Sequence, residues 1–290
     1  MKDLKNLPPL KALGQNFLRH PETARRILDA LPIKPGEPVV ELGAGQGALT
    51  FLLGEKAGSV LALEIDAGLA ARLEEQVRES GLTQIQVRHE DMMKADWGEW
   101  FRVFQEPFWI VGNLPYQLST AVLFRIIEFR SILKGGYVML QKEVADRLLG
   151  QPGQKVYGLL TVLIGYYAEI RPLLQLGPGS FFPRPKVSST FVELRFREKL
   201  QPEIRDEALF QWTVRAAFGQ RRKQLKNALT ADSRFPPAMI LEALGHARVD
   251  PSARGETLSI ERFVHLANAL SGHPDVSVGA VREPPLPAAR

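Results

Sequence analysis

Apolar residues follow two kinds of pattern along the first two-thirds of the chain. Short continuous apolar runs are typical of strands that are buried on both faces. Longer segments repeat apolar positions every three or four residues, which predicts helices. The predicted strands are 38–42, 60–63, 85–87, 108–111, 137–140 and 190–196, and the predicted helices are 23–31, 47–53, 67–79, 120–129 and 141–149. Strands joined by helices of this length predict an α/β fold with a parallel sheet that is covered on both faces.

The pattern changes near residue 198. Residues 204–270 show only helical periodicity, whereas the apolar segment 156–167 fits either a helix or a strand. Residues 271–290 contain four prolines and few apolar side chains. We therefore expect an α/β domain over 1–198, a small helical domain over 199–270 and a disordered tail over 271–290.

Composition excludes several kinds of chemistry. The 290 residues include no cysteine, which excludes disulfides, thiolate catalysis, cysteine-bound zinc and iron–sulfur clusters. The five histidines lack the spacing of metal ligands, so we expect no metal. Neither a secretory signal nor an apolar stretch of membrane-spanning length is evident, which favours a cytoplasmic protein. The formal net charge of +5 is compatible with an anionic partner but does not require one.

A glycine-rich turn, Gly43-Ala-Gly45-Gln-Gly47, follows the first predicted strand and precedes a helix. Glycines there let the backbone turn sharply and approach a ligand closely. The next strand ends in Glu64, a position from which a carboxylate can accept both hydroxyls of a ribose. This pattern favours a cofactor that contains a nucleoside. S-adenosylmethionine (SAM) and a nicotinamide dinucleotide both fit, and a turn without a ligand is the third reading.

Two further strand ends carry polar residues. Asp91 follows the third strand, where a carboxylate could accept from an adenine amino group, although a helix cap or a solvated turn is the alternative for this residue taken alone. Asn113-Leu114-Pro115-Tyr116 follows the fourth strand. In a parallel sheet these strand ends lie at one edge, the carboxyl edge, where ligands bind.

The Asn-Leu-Pro-Tyr segment suits methylation of an adenine amino group. The lone pair of that nitrogen is delocalised into the ring, and accepting both of its hydrogens favours a pyramidal nitrogen whose lone pair is available. The Asn113 side-chain oxygen and the Leu114 carbonyl can accept, Pro115 keeps the backbone extended, and Tyr116 offers a face for stacking. Asparagine cannot serve as the base, so we expect the proton to leave after methyl transfer. A simple tight turn is the competing interpretation.

Several motifs, in this order, resemble the rRNA adenine N6,N6-dimethyltransferases, and within them the bacterial enzymes that act on small-subunit rRNA. The motifs are KALGQNFL (11–18), ELGAGQGALT (41–50), LEID (63–66), NLPY (113–116), MLQKEVADRL (139–148), FFPRPKVSST (181–190) and RGETL (254–258). The resemblance implies a Rossmann-like SAM-dependent methyltransferase fold. It implies that Asn16 and Leu18 help to close over SAM, and that Phe181 packs near the target base opposite Tyr116. The family's SAM-contacting positions correspond to Gly43, Glu64, Asp91 and Asn113, and the strand-end argument adds Gly45.

The resemblance also implies the substrate, which is two adjacent adenines in a hairpin loop near the 3′ end of small-subunit rRNA. Each would receive two methyl groups, so four SAM molecules would be used per RNA. The family further implies a role in small-subunit biogenesis, and we expect a monomer. Ala44 and Leu159 stand where Pro and Arg are common in the family.

A basic segment in the helical region is the expected RNA contact. It carries Arg215, Arg221, Arg222, Lys223 and Lys226 and no acid over 211–230, with Trp212 and Phe218 nearby. Such a segment can bind a phosphate backbone, although a solvated helix face is the plain alternative. Three other functions stay open from the sequence: the sister enzymes that methylate large-subunit rRNA, a non-catalytic ribosome assembly or transcription factor, and a nicotinamide oxidoreductase.

Overall fold

A computed structural model describes residues 14–220, 222–231 and 233–272. Arg221, of the predicted RNA contact, and residues 273–290, of the predicted tail, lie outside the described residues. Ser271, which was assigned to the tail, is the last residue of a helix.

The observed elements follow the predicted alternation of strands and helices. The strands are β1 (Phe17–Leu18), β2 (Pro38–Leu42), β3 (Ser59–Glu64), β4 (Ile85–His89), β5 (Phe108–Asn113), β6 (Leu133–Gln141), β7 (Ala168–Leu176), β8 (Phe181–Phe182) and β9 (Ser189–Phe196). The helices are α1 (Pro21–Asp29), α2 (Thr50–Lys56), α3 (Ala67–Ser80), α4 (Trp97–Phe104), α5 (Ser119–Glu128), α6 (Lys142–Leu148), α7 (Leu159–Tyr167), α8 (Glu207–Gly219), α9 (Leu225–Leu229), α10 (Pro237–His246) and α11 (Ile260–Ser271).

Among the described residues, seven strands form one sheet in the order β4-β3-β2-β5-β6-β9-β7. The pairs from β4 to β6 are parallel, which confirms the α/β fold class. The prediction of an all-parallel sheet is wrong for β9, which runs antiparallel to β6. β9 follows β7 through residues 177–188 without an intervening α-helix, so the chain lacks the helical crossover that usually joins parallel neighbours. As a result, β9 begins at the edge where the parallel strands end: Ser189 lies opposite Gln141, the last residue of β6.

Local signals explain where α3 begins and ends. The Asp66 carboxylate accepts the backbone N–H groups of Gly68 and Leu69, which satisfies donors at the start of the helix. Gly81 ends it in the left-handed conformation, with φ of 73°, which suits a residue without a Cβ atom. Asp66 and Gly81 therefore set where α3, the helix that follows β3, begins and ends.

Besides the two-residue strands β1 and β8, two longer elements were not predicted from the apolar pattern. Helix α4 carries four aromatic residues in eight, WGEWFRVF, and this density obscures its periodicity. Asp96 caps it by accepting from Gly98 N. Strand β7 follows directly on α7, so the apolar segment 156–167 is helical and the strand begins only at Ala168.

The chain divides into two compact units. Among the described residues, the first comprises those up to Ala145 together with Ile170–Phe196, and the second comprises Asp146–Glu169 and those from Arg197 onward. This division differs from the predicted domains 1–198 and 199–270 because 146–169 groups with the C-terminal helices. Within the second unit, the Tyr157 hydroxyl donates to Leu258 O at 2.7 Å, which ties the inserted segment to the C-terminal part.

The core of the first unit lies around the central strands and the helices that flank them. Its fully buried side chains include Ile27 of α1, Val39 of β2 and Leu73 of α3. No helix in the described part of the chain has the length and apolar character needed to cross a membrane.

Candidate active site

A cleft that is partly open to solvent lies in the first unit at the carboxyl ends of β2, β3 and β5. Residues from the three predicted strand ends and from the segment around β1 line it together: Gly14, Gln15, Asn16, Phe17, Leu18, Glu41, Gly43, Ala44, Gly45, Gln46, Ala48, Leu49, Glu64, Ile65, Met92, Asn113 and Pro115. Of the predicted cofactor-binding residues, all except Asp91 are among them. The fold thus brings together side chains that are nearly 100 positions apart in sequence.

The glycine loop forms the floor of this cleft. Gly43, Gly45 and Gly47 have φ angles of 74°, 57° and 78°, a region that side chains with a Cβ atom rarely adopt. A Cβ atom on Gly45 would lie 3.0 Å from the Phe17 ring, so the close approach also requires glycine. The N–H groups of Gly43 and Ala44 donate to Leu63 O, which fastens the loop to the end of β3.

Glu64 lies buried at the end of β3, as the sequence predicted. Its Oε2 accepts from Gly45 N at 2.7 Å, and its Oε1 accepts from Asp66 N at 2.9 Å. Burial raises the pKa of this carboxyl, while the two backbone donors oppose the rise. A carboxylate has about four acceptor positions, so acceptor capacity remains on both oxygens. The acceptor oxygens of Glu64 therefore fit the two hydroxyls of a ribose.

Glu41 was missed by the sequence reasoning, which treated it as part of an apolar strand. It is 2% exposed at the end of β2, lines the cleft, and accepts from the Thr50 hydroxyl at 2.6 Å. Burial, reinforced by the neighbouring Glu64, raises the pKa of Glu41 to about 8. The signal available in the sequence was a charged residue within an apolar strand. Every position of that strand is buried, and charged residues are rarely buried without a partner.

Asn113 ends β5 with its amide held in one orientation. Its Nδ2 donates to the backbone oxygen of Asn16 at 2.7 Å. Because the nitrogen faces this carbonyl, the Oδ1 atom is the acceptor that stays available. Next to it, the Leu114 side chain is buried and Pro115 lines the cleft. The side chain that was expected to accept from an amine thus presents an oxygen with a defined direction.

Tyr116 is half-buried, and its hydroxyl lies 2.8 Å from Ser189 Oγ. Burial raises the pKa of the phenol above its usual value of 10, although the hydrogen bond to Ser189 opposes the rise. This contact exists because β9 is antiparallel, which places its first residue at the carboxyl edge. Tyr116 is therefore protonated at neutral pH, and its hydroxyl is engaged with the protein.

Phe181 and Asp91 occupy less accessible positions than their predicted roles suggest. Phe181 is 1% exposed and belongs to the core of the first unit, whereas Phe182 beside it is 57% exposed. Asp91 Oδ1 accepts from Met93 N at 2.9 Å, within the turn that precedes α4 and not at the start of a helix, and Met92 faces the cleft instead. The roles of Phe181 and Asp91 toward base and cofactor stay predictions.

The predicted RNA contact spans two helices and the turn between them, rather than one helix face. Arg215 is in α8 and Lys226 in α9, and both are half-buried, whereas Arg222 and Lys223 are exposed in the connecting turn. Trp212 packs against Phe235 and Arg234, and Phe218 packs against Tyr157 and Phe263, so both aromatic rings have partners within this unit. Among the described members of this group, Arg222 and Lys223 are the exposed cations.

Comparisons with known proteins bear on the family of this chain. The family model described as ribosomal RNA adenine dimethylase matches residues 10–271. Proteins named ribosomal RNA small subunit methyltransferase A, from Bacillus cereus and Bacillus anthracis, are 40% identical over 272 residues, which is 91% of this chain and 91% of each relative.

Two solved structures resemble this one over most of the chain. A dimethyladenosine transferase from Plasmodium falciparum has a TM-score of 0.74 at 24% identity, covering 86% of this chain and 95% of its own, which supports the fold. The 23S rRNA methyltransferase ErmE has a TM-score of 0.67 at 29% identity, covering 88% of this chain and 100% of its own. With the family model matching from residue 10 to residue 271, the chain belongs to the ribosomal RNA adenine dimethylase family.

Proposed function

We propose that this protein is an enzyme that transfers methyl groups from SAM to the N6 nitrogen of adenines in small-subunit rRNA. Its family membership supports adenine dimethylation, and its relatives at 40% identity carry the name of small-subunit rRNA methyltransferase. The observation that carries the proposal is the fixed amide of Asn113 at the edge of a cleft in which the acceptor oxygens of Glu64 fit a ribose.

Different residues of the cleft would bind or cover different parts of SAM. Glu64 would hold the ribose, Gly43 and Gly45 would allow close approach to the backbone, and Asn16 and Leu18 would cover the ligand. Asp91 would read the adenine of SAM after a change from its turn contact with Met93 N. SAM supplies a methyl group on a positively charged sulfur; the nitrogen–carbon bond forms as the sulfur–carbon bond breaks, and that electron pair remains on sulfur.

Positioning and hydrogen-bond acceptors supply the catalysis. Asn113 Oδ1 and the Leu114 carbonyl accept the hydrogens of the target amine, while Pro115 fixes the backbone between them and the stacking ring of Tyr116. After methyl transfer the nitrogen is cationic and acidic, and its proton leaves to solvent. Neither Asn113 nor the protonated Tyr116 has to act as a base. The second methylation requires the site to admit a nitrogen that has lost one hydrogen.

We propose two adjacent adenines of a hairpin loop near the 3′ end of small-subunit rRNA as the substrate. Phe181 would adjoin the flipped base after a rearrangement that exposes its ring. Arg215, Arg221, Arg222, Lys223 and Lys226 would bind the RNA backbone. The same proposal includes a division into a catalytic domain and a helical RNA-contacting domain. It also includes a monomeric state, a cytoplasmic location and a role in small-subunit assembly.

Mass mapping of methylated adenines tests this function. Undermethylated small subunits are incubated with SAM and the full chain, and the rRNA is then digested and analysed. The expected result is two neighbouring adenines that each gain two methyl groups near the 3′ end. The absence of any new N6-methyladenine in small-subunit rRNA would refute the proposal.

Methylation of large-subunit rRNA is the second candidate, because the ErmE structure matches 88% of this chain. The same incubation with protein-free large-subunit rRNA separates the two functions. If methylation occurs only in the large-subunit RNA, the second candidate replaces the first.

A further inference from the structure

Two adjacent phenylalanines of the FFPRPKV segment face opposite sides of the chain. β8 pairs antiparallel with β1, placing Phe17 opposite Phe182 and Leu18 opposite Phe181. Opposed residues in such a pair share a face. Leu18 and Phe181 share the core-facing side. Phe17 contacts the glycine loop beside the cleft, so Phe182 lies on that same side. Phe182 is nevertheless 57% exposed.

The segment that carries Phe182 is held at both ends by the candidate active site. At one end, Arg19 N donates to Ser180 O at 2.9 Å, next to the ribbon of β1 and β8. At the other end, Lys142 N donates to Ser188 O at 2.9 Å, and Ser189 contacts the Tyr116 hydroxyl. The loop 182–187 therefore extends from the wall of the cofactor cleft to the ring that is proposed to stack on the target base.

The exposed side chains of this loop suit a polyanion with aromatic bases. Arg184 and Lys186 are both exposed, and residues 181–189 contain no acidic residue. A large apolar ring exposed to water beside two cations is the combination that binds single-stranded nucleic acid: cations contact phosphates, and aromatic rings stack on bases. A single-stranded loop, which leaves bases unstacked, is the form in which RNA presents them.

We propose that Phe182 stacks on a nucleotide of the RNA that neighbours the target adenine, with Arg184 and Lys186 on the flanking phosphates. The inference rests on the proposed function and adds a substrate contact at the rim of that site. Phe182 is not among the residues that line the cofactor cleft, so this contact affects the RNA and not SAM.

The test compares substitutions of Phe182 in the full chain. Binding of undermethylated small subunits, the KM for them in methylation, and the Kd for SAM are measured for Phe182→Ala, Phe182→Leu and Phe182→Trp. We expect Phe182→Ala to weaken subunit binding and raise the KM about tenfold, Phe182→Leu to do so nearly as much, and Phe182→Trp to retain wild-type values. The Kd for SAM stays unchanged in all three.

Val103→Ala is the matched control, since Val103 of α4 is also apolar and 54% exposed. The proposal is overturned if Phe182→Ala behaves as Val103→Ala does, if Phe182→Leu restores wild-type binding, or if Phe182→Ala weakens SAM binding by the same factor as RNA binding. Measuring subunit binding directly distinguishes a failure of this inference from a failure of the proposed function. If the wild type methylates no adenine but binds subunits through Phe182, only the proposed function fails, whereas methylation that is insensitive to Phe182 overturns only the present inference.

Discussion

The side-chain nitrogen of Asn113 donates to the backbone oxygen of Asn16 across 97 positions of sequence, at 2.7 Å. This bond orients the acceptor at the end of β5 and joins the segment before β1 to the proposed catalytic motif. An isosteric substitution, Asn113→Asp, places an oxygen against the Asn16 carbonyl and removes the bond by repulsion. We expect the methylation rate at saturating substrate to fall about 10²- to 10³-fold, with the thermal midpoint showing that the variant is folded.

Asn16→Ala is the control for this prediction. The side chain of Asn16 donates to Gly14 O, but its backbone oxygen, which alanine retains, holds Asn113. The rate at saturating substrate should change less than tenfold in this variant, even if SAM binds more weakly. A loss as large as that of Asn113→Asp would contradict orientation by the backbone.

Glu64→Gln tests the nucleoside contact. The two carboxylate oxygens each accept a backbone N–H, and the glutamine amide must turn its NH₂ toward one of these donors. We expect the Kd for SAM to rise at least tenfold and the free energy of unfolding to fall by about 1–3 kcal/mol. Isothermal titration and chemical denaturation provide the two measurements. Glu74→Gln, the same change on the exposed face of α3, should alter neither quantity.

Glu41 should make stability depend on pH. Its folded pKa of about 8 lies above the usual 4.5, so between these values the folded state binds more protons than the unfolded state. Stability therefore falls as pH rises from about 5 to 8, because the slope follows the difference in bound protons. Glu41→Gln removes this term and can still accept from Thr50. Its stability relative to the wild type should increase by on the order of 2 kcal/mol over this range, as measured by denaturation at several pH values. A constant difference across this range would show that Glu41 has an ordinary pKa.

Tyr116 should act through its ring and not through its hydroxyl, which is engaged with Ser189. Tyr116→Phe keeps the ring, and kcat/KM for the RNA should stay within about threefold of wild type with an unchanged pH profile. Tyr116→Ala loses the stacking surface, which should cost about 10- to 100-fold. A shifted pH profile in Tyr116→Phe would assign the hydroxyl a role in proton transfer.

Arg222 and Lys223 should contribute affinity for RNA without base preference. The double variant Arg222→Ala/Lys223→Ala should bind subunits more weakly and reduce the slope of log K against log salt by about two, while the Kd for SAM is unchanged. Arg25→Ala/Arg102→Ala removes two exposed cations of the first unit and provides the comparison. Equal slopes for the two double variants would place the RNA elsewhere.

The part of the site that depends on parallel strands was predictable from sequence. Glycine at 43 and 45, Glu64 and Asn113 each follow a strand whose apolar run is evident, and the carboxyl edge gathers them without knowledge of side-chain contacts. The longer helices, such as α3, were predictable because their apolar positions repeat every three or four residues.

The remaining features depend on tertiary geometry. A two-residue strand such as β1 carries no periodic signal, so its pairing with β8 and the opposite faces of Phe181 and Phe182 were not predictable. The sequence alone does not distinguish the turn contact that Asp91 makes with Met93 from its proposed role toward SAM.

The antiparallel direction of β9 has a consequence for where this protein tolerates changes in length. Because β9 begins at the carboxyl edge, an insertion into the connection 177–188 shifts Ser189 relative to Tyr116 and disturbs the chemistry. The connection 105–107 between α4 and β5 lies at the opposite edge of the same sheet, since β5 begins there. A few residues added to that surface loop cost only the small entropy of a longer closure. Loop length is therefore constrained by function at the carboxyl edge of the sheet. At the opposite edge, evolution and engineering can vary it.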